Sequence, residues 1–188
     1  MKVGAPRPGS PSSSESRAAT PFEEEFRACY RERFASLFIY LDRLTGDPEA
    51  ASDIAQEAFV RLHRRGTMPE QPGAWLVTVG NNLVRDERRK ATRQLRILTG
   101  NPEQAQLGAR AGDPAQDLEQ AESVRAVRAA LEELSPRDRE ALLMRHSGYS
   151  YREIAAALRL AEGSVGTTLL RAGQMFRAAF KEMHGAPE

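Results

Sequence analysis

Arg85, Arg88, Arg89, Arg93 and Arg96 step through the chain by three and four residues, with Lys90 and Thr92 among them. On a helix that spacing lays the five guanidinium groups along one face. A guanidinium is a planar, permanently charged fork that matches phosphate oxygens. An arginine stripe this regular points to a nucleic-acid backbone rather than to an ordinary solvated face. Between positions 85 and 96 six basic side chains stand against two acids, Asp86 and Glu87. The whole chain carries a formal net charge of only +1, so local clustering and not total charge supports this reading.

Other chemistries are poorly represented. His63, His146 and His184 are isolated, with no acidic or cysteine partner at metal-ligand spacing. There is no HExxH, no paired CxxC, no GxxxxGK[ST] loop and no nucleophile elbow. Neither a catalytic site nor a metal or other cofactor is expected, and the chain does not read as an enzyme. The single cysteine, Cys29, rules out an internal disulfide framework and fits a reducing compartment. No apolar run approaches the roughly 18 residues that cross a bilayer, and no signal-peptide apolar region opens the chain. A cytoplasmic protein is expected.

The 188 residues are enough for one or two domains. Residues 1–20 include ten Gly, Pro or Ser and cannot bury enough apolar surface to order themselves, so a disordered tail is predicted there. Thr20-Pro21-Phe22-Glu23 then starts a helix with a capping box and Pro at its first position. Phe22, Phe26, Tyr30, Phe34, Leu37, Phe38, Leu41 and Leu44 give its buried face, with Cys29 as a small filler beside them. Asp47-Pro48 opens a second helix, whose apolar stripe is Ala51, Ile54, Ala55, Ala58, Phe59 and Leu62. Its opposite face carries Asp53, Gln56, Glu57 and Arg61. A third helix begins near Pro72, packs through Trp75, Leu76, Val79 and Leu83, and continues into the arginine stripe.

Residues 97–116 lose periodicity and gain Gly, Pro and Gln, which predicts a flexible linker. From Asp117 a helical pattern resumes on Leu118, Ala121, Val124, Val127, Leu131 and Leu134. Ser135-Pro136-Arg137-Asp138 and Ser150-Tyr151-Arg152-Glu153 are two further helix starts, the second with Tyr149 and Ile154 placed as a hydrophobic staple. A short helix to Leu158, a break at 159–162 and a long final helix follow. Helix, short turn, helix is the geometry of a helix-turn-helix that puts its second helix into the major groove. The fold expected is all-α: a helical domain at 21–96, the linker at 97–116, and a helix-turn-helix domain at 117–182.

YREIAAALRLAEGSVGTTLLRA, from Tyr151, resembles the C-terminal DNA-binding segment of bacterial sigma factors of the extracytoplasmic-function type, although LuxR-like domains share much of the pattern. Upstream, Ala51-Ser52-Asp53-Ile54-Ala55-Gln56-Glu57-Ala58-Phe59 resembles the A-E-D-L-V-Q-E-V-F helix of region 2 of that family. Trp75-Leu76 followed by Asn82, Asp86 and Arg89 is similar to its promoter-reading helix. The resemblance covers residues 22–96 and 117–180, and implies binding to core RNA polymerase and promoter DNA, with an anti-sigma factor as a further partner. It implies core contact through Asp53, Gln56, Glu57 and Arg61. Contact with the −10 element would fall to Asn81, Asn82, Arg85, Arg88, Arg89, Arg93 and Arg96, and the −35 element to Ser164, Thr167, Thr168 and Arg171. The linker would run through the polymerase between the two modules.

Two departures weaken the reading surface of the last helix. Gly166-Thr167-Thr168 stands where the family tends to carry Lys-Ser-Arg, and Arg159 replaces the usual turn glycine. Two rival functions follow: a sigma-like adaptor that starts no transcription, and a LuxR-type regulator with an unrelated helical sensor. With its last helix atypical, the arginine stripe is the firmer nucleic-acid signal.

Overall fold

The computed structural model describes residues 20–99 and 118–184, with the side chains of 95–99, 118–121 and 184 outside that description. The expected tail through residue 19 and most of the linker, 100–117, lie outside the described residues. Seven helices and no strand appear among the described residues: α1 (Pro21–Thr45), α2 (Pro48–Arg65), α3 (Pro72–Thr99), α4 (Leu118–Glu132), α5 (Pro136–His146), α6 (Tyr151–Leu158) and α7 (Glu162–His184). The third helix runs on to Thr99, three residues past the predicted end at 96.

Local chemistry sets the helix starts. Thr20 and Ser150 each accept from the backbone N–H three residues on, while Glu23 and Glu153 return the bond to the cap backbone, closing two capping boxes. Asp47 accepts from the N–H groups of Glu49 and Ala50, and Ser135 from that of Asp138. Pro occupies the first turn of α1, α2 and α5, where its missing N–H costs nothing.

Helix ends are set by left-handed residues. α1 and α2 finish on Gly46 (φ 74°) and Gly66 (φ 71°), as an αL cap requires. α6 finishes on Arg159 at φ 54°, the one non-glycine at positive φ among the described residues. An L side chain there costs about 1–2 kcal/mol. Gly regains part of that and loses some to the entropy of the unfolded chain. Arg159→Gly is therefore expected to stabilise the protein by about 0.5–1 kcal/mol, read as a higher midpoint of denaturant unfolding. An unchanged midpoint would mean that Arg159 gains compensating contacts.

α1, α2 and α3 pack as one unit. All six residues of the predicted α2 stripe are buried, together with Leu37 and Leu41 of α1 and Leu76 and Val77 of α3. Each fully buried Leu or Ile contributes roughly 1.5–3 kcal/mol by leaving water. The aromatic stripe of early α1 is only partly covered: Phe26 and Tyr30 lie edge-on to Phe59, and Phe26 also meets His63. Cys29 is buried, and burial pushes its thiol pKa up despite nearby Arg33. In the second unit, α5 and α6 seat α7 through Leu143, Met144, Ile154, Leu158, Val165 and Ala172.

The two units do not stand apart. α3 packs on α6 and α1 on α5, and buried side chains of both units form one apolar cluster. α3 consequently buries more than the single face read from its sequence. Gly73, Val77, Asn81 and Val84 recur at helical spacing and are all buried. Gly73 abuts Glu153 and Tyr149, and Asn81 abuts Glu140.

Candidate nucleic-acid interface

α3 positions the groups expected to meet the −10 element. Asn81 is only 5% exposed. Its Oδ1 accepts from the Tyr40 hydroxyl at 2.8 Å, and its Nδ2 donates to Glu140 Oε2 at 3.0 Å. Burial, reinforced by the charge of Glu140, pushes the Tyr40 phenol far above its usual range, so it stays a donor. Leaving either amide group of Asn81 unpaired in this setting would cost about 1–3 kcal/mol. Asn82 is exposed and accepts from Arg85 at 3.3 Å. Arg85 also donates to Glu140 Oε1 at 3.0 Å.

Arg88, Arg89 and Arg93 face outward. Arg88 donates to the Leu44 carbonyl at 3.1 Å, Arg89 lies 3.7 Å from Asp86, and Arg93 is exposed. Arg96 is in α3 with its side chain outside the described set. Exposed pairs of this kind are worth little, so each guanidinium can exchange its present partner for a phosphate. Arg139, on α5, lies close enough to Arg88 for the two charges to oppose each other. Burial, followed by that repulsion, lowers the pKa of Arg139.

On α7 the expected −35 residues divide. Ser164 and Thr167 are exposed, but Thr168 is buried and donates to the Ser164 carbonyl at 2.9 Å, so its hydroxyl serves the helix rather than a groove. Arg171 reaches back to Asp138 on α5, a buried carboxylate that also accepts from the Ser135 hydroxyl at 2.8 Å. The hydrogen bond to Asp138 raises the pKa of Arg171. In this arrangement Arg171 ties α7 to α5. The exposed stripe of α7 is Gly163, Thr167, Leu170, Gln174 and Arg177, with Leu170 58% exposed. Leu170 was not among the residues read from sequence, because an apolar side chain on an amphipathic helix looks like core. Gly166 has room for a side chain, a Cβ there meeting only the Tyr151 ring at 3.9 Å.

The polar face of α2 is separate from all of this. Asp53, Gln56 and Arg61 are exposed; Glu57 pairs with Arg61 at 2.9 Å, and Gln56 donates to Ser52 at 3.2 Å. Among the described residues α2 packs chiefly on α1 and α3, and Asp53, Gln56 and Arg61 are turned to solvent. Glu140, Glu153 and Tyr40 join the two units but carry no sequence signature of that role. Their partners lie tens of residues away, as Asn81 and Glu140 do at a separation of 59 positions. No cluster of His, Cys, Asp or Glu able to hold a metal occurs among the described residues. None of the described helices is long and apolar enough to cross a membrane.

Residues 30–94 match the family model for Sigma-70 region 2, and residues 124–173 that for Sigma-70, region 4. The chain is 34% identical over 167 residues to the ECF RNA polymerase sigma factor SigL of Mycobacterium tuberculosis, covering 84% of this chain and 89% of SigL. It is 30% identical to the ECF RNA polymerase sigma factor BldN of Streptomyces coelicolor, covering 83% of this chain and 60% of BldN. Its fold is similar to that of the sigma factor RpoE from Bartonella quintana, solved in complex with the anti-sigma factor NepR. That match has a TM-score of 0.60 and 20% identity, and covers 88% of this chain and 99% of RpoE.

Proposed function

The chain belongs to the extracytoplasmic-function family of RNA polymerase sigma factors, and from that membership we propose how its surfaces divide the family's work. It is a sigma factor that directs transcription initiation, binding core RNA polymerase and promoter DNA. One observation carries this: region 2 and region 4 occur in order in a chain that aligns with SigL over most of both lengths. A LuxR-type regulator with an unrelated sensor would lack the upstream match at 30–94.

The outward face of α2, with Asp53, Gln56, Glu57 and Arg61, binds core polymerase through charged and polar pairs across a helix contact. Region 2, at 21–96, handles the −10 element. Arg88, Arg89, Arg93 and Arg96 hold backbone phosphates, while Asn82 and Arg85 meet an unstacked base and its sugar and the buried Asn81 supports them from below. Region 4, at 117–182, lays the exposed stripe of α7 along the −35 element. There Leu170 and the Thr167 methyl offer apolar contact to a thymine methyl, Ser164 contributes a hydroxyl, and Arg171 steadies the helix. The segment 97–116 is the tether between the modules. The protein works in the cytoplasm as a regulator without catalysis of its own, and an anti-sigma factor is its controlling partner.

The test is competition for core polymerase. The purified chain is expected to bind core and to be displaced by another sigma factor. Changing Asp53, Glu57 and Arg61 together to Ala is expected to weaken binding by about tenfold or more. Failure to bind core at all would remove the assignment; binding untouched by the triple change would move the contact off α2.

A further inference from the structure

α7 carries little charge over the stretch that meets the −35 element. From Glu162 to Phe176 the only basic residue is Arg171, since Gly166-Thr167-Thr168 brings no cation. A charged contact from these turns of the helix therefore falls to one side chain. Arg171 is not a loose surface arginine. Its Nη2 donates to Asp138 Oδ1, and the arginine side chain is 59% exposed while the aspartate side chain is 5% exposed. The other carboxylate oxygen accepts from the Ser135 hydroxyl at 2.8 Å, and the Asp138 N–H donates to that same hydroxyl at 3.2 Å.

Asp138 is thus fixed at the start of α5 and buried, where a charged group without a partner is costly. That cost keeps the pair closed. A guanidinium is a rigid plane of N–H donors, so engaging one edge of it sets the direction of the rest. The outer donors of Arg171 remain in solvent. A long arginine in water samples many rotamers, and ordering them costs free energy at the moment of binding. Here the ordering is built into the fold. Arg171 lies one turn beyond Thr167 and next to Leu170, both exposed, so its guanidinium is offered together with the other residues proposed for the −35 element.

We infer that Asp138 is a positioning residue for −35 recognition, which aims Arg171 at the O6 and N7 acceptors of a guanine in the major groove. Asp138 itself touches no DNA. A fixed fork suits a base edge, where direction decides, more than a phosphate, which an unaimed arginine holds as well. Arg171 then reads sequence besides tying α7 to α5. The inference rests on the sigma factor reading, which supplies the −35 element.

The test uses holoenzyme, the full chain with core RNA polymerase. The templates are a promoter from which it starts and the same promoter with the upstream element scrambled. The ratio of transcript yields on the two isolates what region 4 reads from sequence. Arg171→Ala is expected to lower this ratio about tenfold. Asp138→Asn keeps the size of the side chain and gives up the charge that holds the guanidinium. It is expected to lower the ratio about three- to tenfold. The double variant is expected to fall no lower than Arg171→Ala, because Asp138 acts through that side chain. Ser135→Ala controls for loss of structure. It removes the α5 cap and leaves the ion pair, so the unfolding midpoint should drop while the ratio is kept. A ratio unchanged by Asp138→Asn, or lowered as much by Ser135→Ala, would overturn the inference. So would a double variant lower than Arg171→Ala, or a ratio raised by Asp138→Asn, which would mean that the carboxylate withholds the arginine. In each of these cases transcription by the parent leaves the sigma factor reading standing. A chain that directs no starts with core removes that reading and the inference with it.

Discussion

Arg88→Ala, Arg89→Ala and Arg93→Ala combined are expected to lower affinity for promoter DNA by about 10- to 100-fold near 0.15 M salt, across unrelated promoter sequences. Each lost phosphate contact removes about 0.7–0.9 from the slope of log affinity against log salt, so the slope should flatten by about 2–3. The structure makes this a clean experiment. Arg88 and Arg89 hold only exposed partners, the Leu44 carbonyl and Asp86, and Arg93 is exposed. Ala is the best helix former, so α3 should keep its helicity, which circular dichroism verifies. A loss confined to one promoter sequence would mark base readout instead, and an unchanged slope would make the stripe plain surface.

Tyr149→Ala is expected to cost about 3–4 kcal/mol, with a lowered unfolding midpoint. Tyr149 is 1% exposed and fills three roles. It precedes the α6 cap and is buried in the same cluster as Ile154, it meets the Tyr40 ring, and it lines the contact with Gly73. Its hydroxyl is buried without a hydrogen-bond partner among the described residues, and burial holds the phenol pKa well above its usual range. Tyr149→Phe removes that unpaired group and keeps the ring, so the variant should be at least as stable as the parent. A Phe variant as unstable as the Ala variant would show that the hydroxyl matters more than the packing.

These residues also mark where the sequence was legible. Helix starts were readable because each depends on residues within three positions of one another: Thr20 with Glu23, Ser150 with Glu153, and Asp47 with Pro48. The α2 stripe was readable in full because that helix has one apolar neighbourhood and one wet side. α3 was read only in part. Its periodicity announces Leu76, Val79 and Leu83, but the burial of Asn81 follows from an acid on α5 that no local pattern connects to it. The same limit hid Tyr40 and Glu140. On α7 the sequence marked Thr168 and Arg171 as candidates, while helix orientation turns Thr168 inward, commits Arg171 to Asp138 and leaves Leu170 outermost. The exchange of the usual turn glycine for Arg159 was visible as a departure. Its positive φ shows that the turn geometry is kept with an arginine in it.

The packing of the modules on each other is a further feature that no local pattern announced. The linker of roughly twenty residues reads as a flexible tether between two modules, and loop closure over such a length costs little either way. Low closure cost permits the modules to meet as readily as to part. The shared apolar cluster and the polar contacts beside it hold the packed arrangement.

Transcription itself tests the central claim most directly. The purified chain is combined with core RNA polymerase and fragmented genomic DNA from its own source, and the 5′ ends of the transcripts are mapped. The account predicts start sites that are absent with core alone and lie downstream of a shared pair of elements spaced about two and a half helical turns apart. A chain that binds core but yields no start sites beyond those of core alone would contradict it, and would leave the protein a sigma-like adaptor.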